Sequence, residues 1–409
     1  MKIQFVVSVL VLFLAGCGGG GSSSGGSGGD IIDDNTPVAA FDDAHLGLIN
    51  HEYAQTRSIT GSGVTVAMID DGVNADHEEF AGKMLNGDSG FYESALSFYT
   101  LDEQDEMGIT GLGVFEPIFV ESQADGTGHG TTVASMIWGE NLGVAPGVDF
   151  LVLDVQEGAS PDSGTAKGFI AELDRLGVDF ANVSMTGVDS FEDSEFAENQ
   201  PLFDPLNSGD IGWIVSAGNF SNDLTEFFND PLACETVVPA ARTEDQARKC
   251  ARQLDPTNYT AVVEVPELAD NFLYVGSIDI STLALSVYPN EVDTANGRID
   301  GGSAFPGSDS RFQDRFLVAA GKSLSTAVTS SNTGYGTASG TSFAAPQVTG
   351  AAALVKSQFP TLTNESVLQV LLDTADDSFE GYDPSLHGQG ILDIEAALQV
   401  DPADYDTLR

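Results

Sequence analysis

The chain has 409 residues, 42% of them hydrophobic, with 15 Lys and Arg against 62 Asp and Glu and a formal charge of -47. That length supports one large domain or two ordinary ones, and a mean hydropathy of -0.01 excludes a polytopic membrane protein. The charge excludes nucleic acid as a partner, because phosphate binding needs the opposite sign; spread along the chain, it reads as a solvated acidic shell.

The first elements concern export. Lys2 gives a positive start, and Ile3 to Leu14 form an apolar run too short to span a bilayer as a mature helix. The run ends in Leu14-Ala15-Gly16-Cys17, which resembles the lipobox of bacterial lipoproteins. Small residues there admit a signal peptidase, and the thiol of Cys17 is the atom to be acylated. The resemblance implies a cell-envelope lipoprotein whose bilayer contact is acylated Cys17; Gly18 in place of aspartate favours the outer membrane. Gly18 to Gly29 contain only Gly and Ser, which cannot bury apolar surface and so form a flexible tether. The expected division is a signal peptide over 1–16, a lipidated cysteine and tether over 17–38, and a folded domain over 39–409.

Within the domain, short apolar runs alternate with helical patterns. Val64 to Ile69, Val148 to Val155, Phe180 to Ser184 and Trp213 to Ala217 read as strands; Gly130 to Trp138, Thr165 to Leu176 and Pro346 to Gln358 read as helices. Apolar strands without alternation, separated by helices, imply a parallel sheet covered on both faces. The expected architecture is one three-layer α/β/α domain with a mostly parallel central sheet.

Three motifs fall where such a sheet places its sites, at strand ends and helix starts. Asp70-Asp71-Gly72 follows the first strand. Asp125-Gly126-Thr127-Gly128-His129-Gly130-Thr131 opens one helix, and Ser339-Gly340-Thr341-Ser342-Phe343-Ala344-Ala345-Pro346 opens another. A serine hydroxyl is a poor nucleophile until an imidazole takes its proton and a carboxylate orients that imidazole. The order Asp, His, Ser is one of the known triad orders. Register with Gly72 favours Asp70 over Asp71, which is expected to face solvent because two adjacent carboxylates repel.

From about Ile49 to Leu398 the chain resembles the subtilisin-like (S8) serine proteases, on AMIDDGV, GTGHGTTVASMI and SGTSFAAPQVTGAAALV. Phe343-Ala344-Ala345-Pro346-Gln347, with the closing His387-Gly388-Gln389-Gly390-Ile391-Leu392-Asp393, is most similar to autotransporter-type passenger domains, although no barrel follows before Arg409. The resemblance implies a serine endopeptidase acting on proteins or peptides, with Asp70 orienting, His129 as base and then acid, and Ser342 as nucleophile. Val215-Ser216-Ala217-Gly218-Asn219 resembles the oxyanion segment and implies Asn219 as a donor beside the Ser342 N–H. Ser184, Met185 and Thr186 on one side, and Ser216, Ala217 and Gly218 on the other, are implied as substrate-binding walls. Thr186 stands where the family usually has glycine, which implies an altered specificity pocket.

The remaining candidates carry structural readings. His77 fits a turn after the aspartate motif, His387 fits a C-terminal turn, and His45 and His51 are expected at the surface. Cys234 and Cys250 admit a disulfide, worth about 3 kcal/mol in the chain-entropy model, with two free thiols as the alternative. Many relatives bind calcium, but no D-x-[DN]-x-[DN]-G loop is present, so no metal ligand and no cofactor is assigned. About thirty residues separate Cys17 from the start of the resemblance near Ile49, fewer than an inhibitory propeptide module needs.

Overall fold

The computed structural model describes residues 31–33, 41–70, 72–83, 91–93, 118–120, 128–154, 173–174, 176–184, 211–219, 221, 223–229, 269–288, 292–293, 298–299 and 301–405. Its strands, in chain order, are β1 Ile31–Asp33, β2 Thr65–Asp70, β3 Phe91–Glu93, β4 Ile118–Val120, β5 Asp149–Asp154, β6 Phe180–Val183 and β7 Gly212–Ser216. They continue with β8 Phe272–Ile278, β9 Val292–Asp293, β10 Arg298–Ile299, β11 Phe316–Ala320, β12 Leu324–Ala327 and β13 Tyr335–Ser339. The helices that position the site are α1 Ala44–Leu48, α2 Glu52–Thr56, α3 His129–Trp138, α4 Ala345–Gln358 and α5 Asn364–Asp373.

Eight strands form one sheet in the order β11-β8-β7-β6-β2-β5-β3-β4. All neighbours run parallel except β3 and β4, which pair antiparallel at the edge. The apolar runs do not alternate because both faces are covered. Val66 and Met68 of β2, Ile214 of β7 and Leu273 and Val275 of β8 pack into one core beneath α3 and α4. Ala67 and Ile69, Trp213 and Val215, and Phe272 and Tyr274 pack into a second core on the opposite face. This is the expected three-layer α/β/α arrangement. The helix expected over Thr165 to Leu176 lies mostly outside the described residues.

Helix α4 is the central helix of its layer. Every residue from Ala345 to Val355 is buried, and the two polar ones among them, Gln347 and Thr349, are hydrogen-bonded. Gly350 interrupts it for a packing reason: a Cβ there would stand 2.6 Å from the Cβ of Val144, so the 144–145 backbone could not approach. A second, antiparallel sheet, β1-β13-β12, carries the strand that leads into Ser342. Its outer strand β1 pairs Ile31 with Ser339 and falls inside the segment read as tether. The Gly/Ser stretch, Cys17, Cys234 and Cys250 lie outside the described residues. No helix among the described residues is long and apolar enough to cross a membrane.

One expectation is overturned. His45 and His51 are not surface residues; they retain 1% and 3% of their exposure. The segment after α3 turns through 142–144 beneath α1 and α2, and its carbonyls need buried donors. His45 Nε2 donates to the Leu142 carbonyl at 2.9 Å and His51 Nε2 to that of Val144 at 2.7 Å. His77 and His387 do take turn positions: His77 Nδ1 accepts from Glu79 N at a short helix start, and His387 ends the helix Pro384–His387.

Burial is the largest influence on both histidines of this pair. It lowers the pKa of His45 to about 4, with His51 adding to the shift and the Leu142 carbonyl, Asp43 and Asp42 opposing it. Burial lowers His51 as well, against the Val144 carbonyl. A base with a depressed folded pKa is protonated first in the unfolded chain. His45 therefore has no effect on stability above pH 6.5 and destabilises as pH falls toward about 4, by at most about 3 kcal/mol. His45→Gln, whose amide can still donate to Leu142, should flatten the acid limb of a denaturant-midpoint profile. Parallel profiles for the two proteins would show that His45 does not set it.

Candidate active site

The chain order of the strands reverses around β2, which has β5 on one side and β6 on the other. Such a switch point opens a crevice at the carboxyl ends of the strands. Asp70 is the last residue of β2, Ser184 directly follows β6, and Ser216 to Asn219 run off the end of β7. The sheet alone thus gathers three of the segments singled out in the sequence.

His129 enters from above as the first residue of α3. Its approach depends on Gly128, which has φ of +90° and a position where a Cβ would lie 3.2 Å from Thr329 Oγ1. His129 Nδ1 and Asp70 Oδ1 are 2.7 Å apart, and each side chain keeps 1% of its exposure. An ionised carboxylate can only accept, so Nδ1 carries the proton and, in the neutral ring, Nε2 carries the lone pair. The Phe343 ring, 5.5 Å from the imidazole between centroids, packs against its other side.

Ser342 lies in the turn Thr341–Phe343 between β13 and α4 and is 2% exposed. Its Oγ donates to the Ser184 carbonyl at 2.9 Å, and Ser184 Oγ donates back to the Ser342 carbonyl at 2.8 Å. The Ser342 turn is therefore clamped to the end of β6 by two reciprocal bonds.

Asn219 is oriented by the same turn. Its Oδ1 accepts from Thr341 N at 2.8 Å and from Thr341 Oγ1 at 3.1 Å, and Thr341 Oγ1 accepts from Gly218 N at 3.0 Å. With the oxygen so held, the side-chain NH₂ is directed away from Thr341 and is the group able to donate to a ligand. Thr341 was legible within Ser-Gly-Thr-Ser, but its anchoring role was not, since it needs the end of β7 to arrive beside it.

Ser216, Ala217 and Gly218 are buried next to Asn219, and Ala217 N donates to the Val275 carbonyl at 2.9 Å. Met185, Thr186 and Asp71 lie outside the described residues. Among the described residues no group of three or more His, Cys, Asp and Glu side chains is gathered as a metal site would require.

An aspartate, a histidine and a serine converging on one strand-end crevice is the arrangement of a serine hydrolase. The chain belongs to the subtilase family: the model of that family, Peptidase S8, matches residues 61–390. It is similar to an extracellular serine protease of Serratia marcescens, 27% identical over 382 residues, covering 86% of this chain and 33% of the relative. This chain thus spans a third of that protein's length. It is 25% identical over 362 residues to subtilisin DY of Bacillus licheniformis, covering 86% of this chain and 97% of the relative. Fervidolysin from Fervidobacterium pennivorans shares the fold, with a TM-score of 0.54 and 19% identity over 88% of this chain and 46% of its own.

Proposed function

We propose that this subtilase is a serine endopeptidase that cleaves proteins or peptides through an acyl-enzyme on Ser342, and that it is tethered to the bacterial envelope by acylated Cys17. The observation that carries the reading is the buried 2.7 Å bond between Asp70 and His129, at the mouth of the crevice that holds Ser342. Family membership supports it independently.

The chemistry follows from the roles these atoms can take. At rest the single proton of the Ser342 hydroxyl is directed at the Ser184 carbonyl. Substrate binding redirects it to His129 Nε2, which takes it as Oγ bonds to the scissile carbonyl carbon. Asp70 holds the imidazole by Nδ1 and stabilises the imidazolium that forms. The carbonyl oxygen becomes an oxyanion, for which the Asn219 amide and the Ser342 N–H are the donors. His129 then gives the proton to the leaving amine, and water releases the acid half by the same steps in reverse. By the family resemblance, Ser184, Met185 and Thr186 on one side and Ser216, Ala217 and Gly218 on the other are assigned to holding an extended substrate.

The envelope reading rests on Leu14-Ala15-Gly16-Cys17 and the Gly/Ser tether, and it is consistent with the extracellular location in the Serratia relative's name. The similarity of Phe343-Ala344-Ala345-Pro346-Gln347 to autotransporter passenger domains suggests that surface or secreted proteins are the substrates; these would accumulate uncut in cells carrying Ser342→Ala.

Incubation of the folded protein with a fluorophosphonate should place one adduct, mapped by peptide mass spectrometry, on Ser342. An unlabelled Ser342 in active-site-intact protein would sink the proposal. For the anchor, Cys17→Ser should move the protein from the membrane pellet to the soluble envelope fraction, and an unchanged distribution would count against lipidation.

A further inference from the structure

Behind the Ser342 turn, on the side away from the crevice, a line of buried hydrogen bonds runs from the middle of α4 back to the nucleophile. Thr349 Oγ1 donates to Asn182 Oδ1 at 3.0 Å, Asn182 Nδ2 donates to Ser184 Oγ at 2.9 Å, and Ser184 Oγ donates to the Ser342 carbonyl at 2.8 Å. Thr349, Asn182 and Ser184 all retain 0% of their exposure. We propose that Thr349 and Asn182 are positioning residues for Ser342, acting through Ser184 to fix the nucleophile relative to His129 and the oxyanion donors. The inference rests on the serine-hydrolase reading above.

The direction of the line is fixed by chemistry alone. A carbonyl oxygen only accepts, so Ser184 must give its one hydroxyl proton to Ser342. Its Oγ lone pairs then face Asn182, which must present NH₂ there and its oxygen to Thr349. Thr349 must in turn be the donor. The amide of Asn182 therefore has one orientation in which every partner is satisfied, and the line has a single polarity.

The line also closes a loop in the chain. Thr349 lies one turn into the helix that begins three residues after Ser342, while Asn182 lies in β6 and Ser184 directly follows it. The Ser342 turn is thus held at its own carbonyl and, through Thr349, at the helix into which it runs. Thr349 Oγ1 also lies 3.2 Å from the Ala345 carbonyl four residues earlier. A threonine serving only its own helix would need no more than that contact. The reach to Asn182 is what ties the helix to β6. Both side chains are fully buried, so removing the Thr349 hydroxyl takes away the donor to Asn182 Oδ1 and releases the line from its far end.

A positioning role and a packing role differ in what they move. Small displacements of a reacting group lower turnover steeply, whereas weakened packing lowers stability and leaves turnover per folded molecule unchanged. Thr349→Val keeps the shape and deletes the donor; Thr349→Ser deletes a methyl and keeps the donor. On a chromogenic peptide amide, Thr349→Val should lower kcat by about 10-fold with KM within twofold, and the rate of fluorophosphonate labelling should fall in parallel. Thr349→Ser should restore both. A valine protein with wild-type kcat and labelling rate but a lower Tm would overturn the proposal, as would a change confined to KM. Should the valine protein fail to fold, Thr349→Ala carries the same measurement without the added methyl. A wild-type chain that neither cleaves nor labels would instead defeat the serine-hydrolase reading and this inference with it.

Discussion

A carboxylate and an imidazole withdrawn from water, joined over 2.7 Å at the end of β2, are what the rest of the molecule is arranged to hold. Taking an ionised carboxylate out of water costs several kcal/mol unless its partner is fixed in good geometry. Here the geometry comes from two elements with no freedom to drift. Strand β2 is paired along its length on both sides, by β5 and β6, so Asp70 sits at the end of the best-anchored strand of the sheet. Helix α3 begins at His129 itself, and its first turn is fixed by the left-handed Gly128 and by the Thr132 hydroxyl donating to the Gly128 carbonyl at 2.9 Å.

The serine side of the site is built from neutral hydrogen bonds. Thr341 and Ser342 are neighbours, yet they reach different, adjacent strands: Thr341 grips Asn219 beyond β7, and Ser342 exchanges bonds with Ser184 beyond β6. Ser342 and Asn219, proposed as nucleophile and oxyanion donor, are thus both held by one short turn. A preorganised donor of this kind needs no rearrangement as charge develops, and preorganisation is the larger part of electrostatic catalysis.

Much of this was readable from the chain because the period and the motifs agreed. Val64 to Ile69 reads as a buried strand and ends, one residue later, on Asp70; Gly128 and His129 read as a helix start and are one. The segments carrying Asp70, His129 and Ser342 are the ones the fold brings together at the strand ends. What the chain did not disclose are side chains whose role depends on partners distant in sequence. His45 and His51 are short of local signals and are buried because the 142–144 carbonyls demand donors. Glu79 reads as one more surface acid, yet it is fully buried, accepting from Asn141 N and Nδ2 and from Tyr335 OH, the last at 2.6 Å. Asn182 and Thr349, 167 positions apart, could be paired only by the packing of α4 on β6.

The central claim is that Asp70, His129 and Ser342 act as one unit, and non-additivity measures that directly. Residual hydrolysis of a peptide amide, above the spontaneous rate, would be compared for Ser342→Ala, for His129→Ala and for the two combined. If the residues are one unit, the double variant should be no slower than either single variant, within about threefold. Losses that multiply in the double variant would mean that the two residues contribute separately, and would contradict a shared catalytic role.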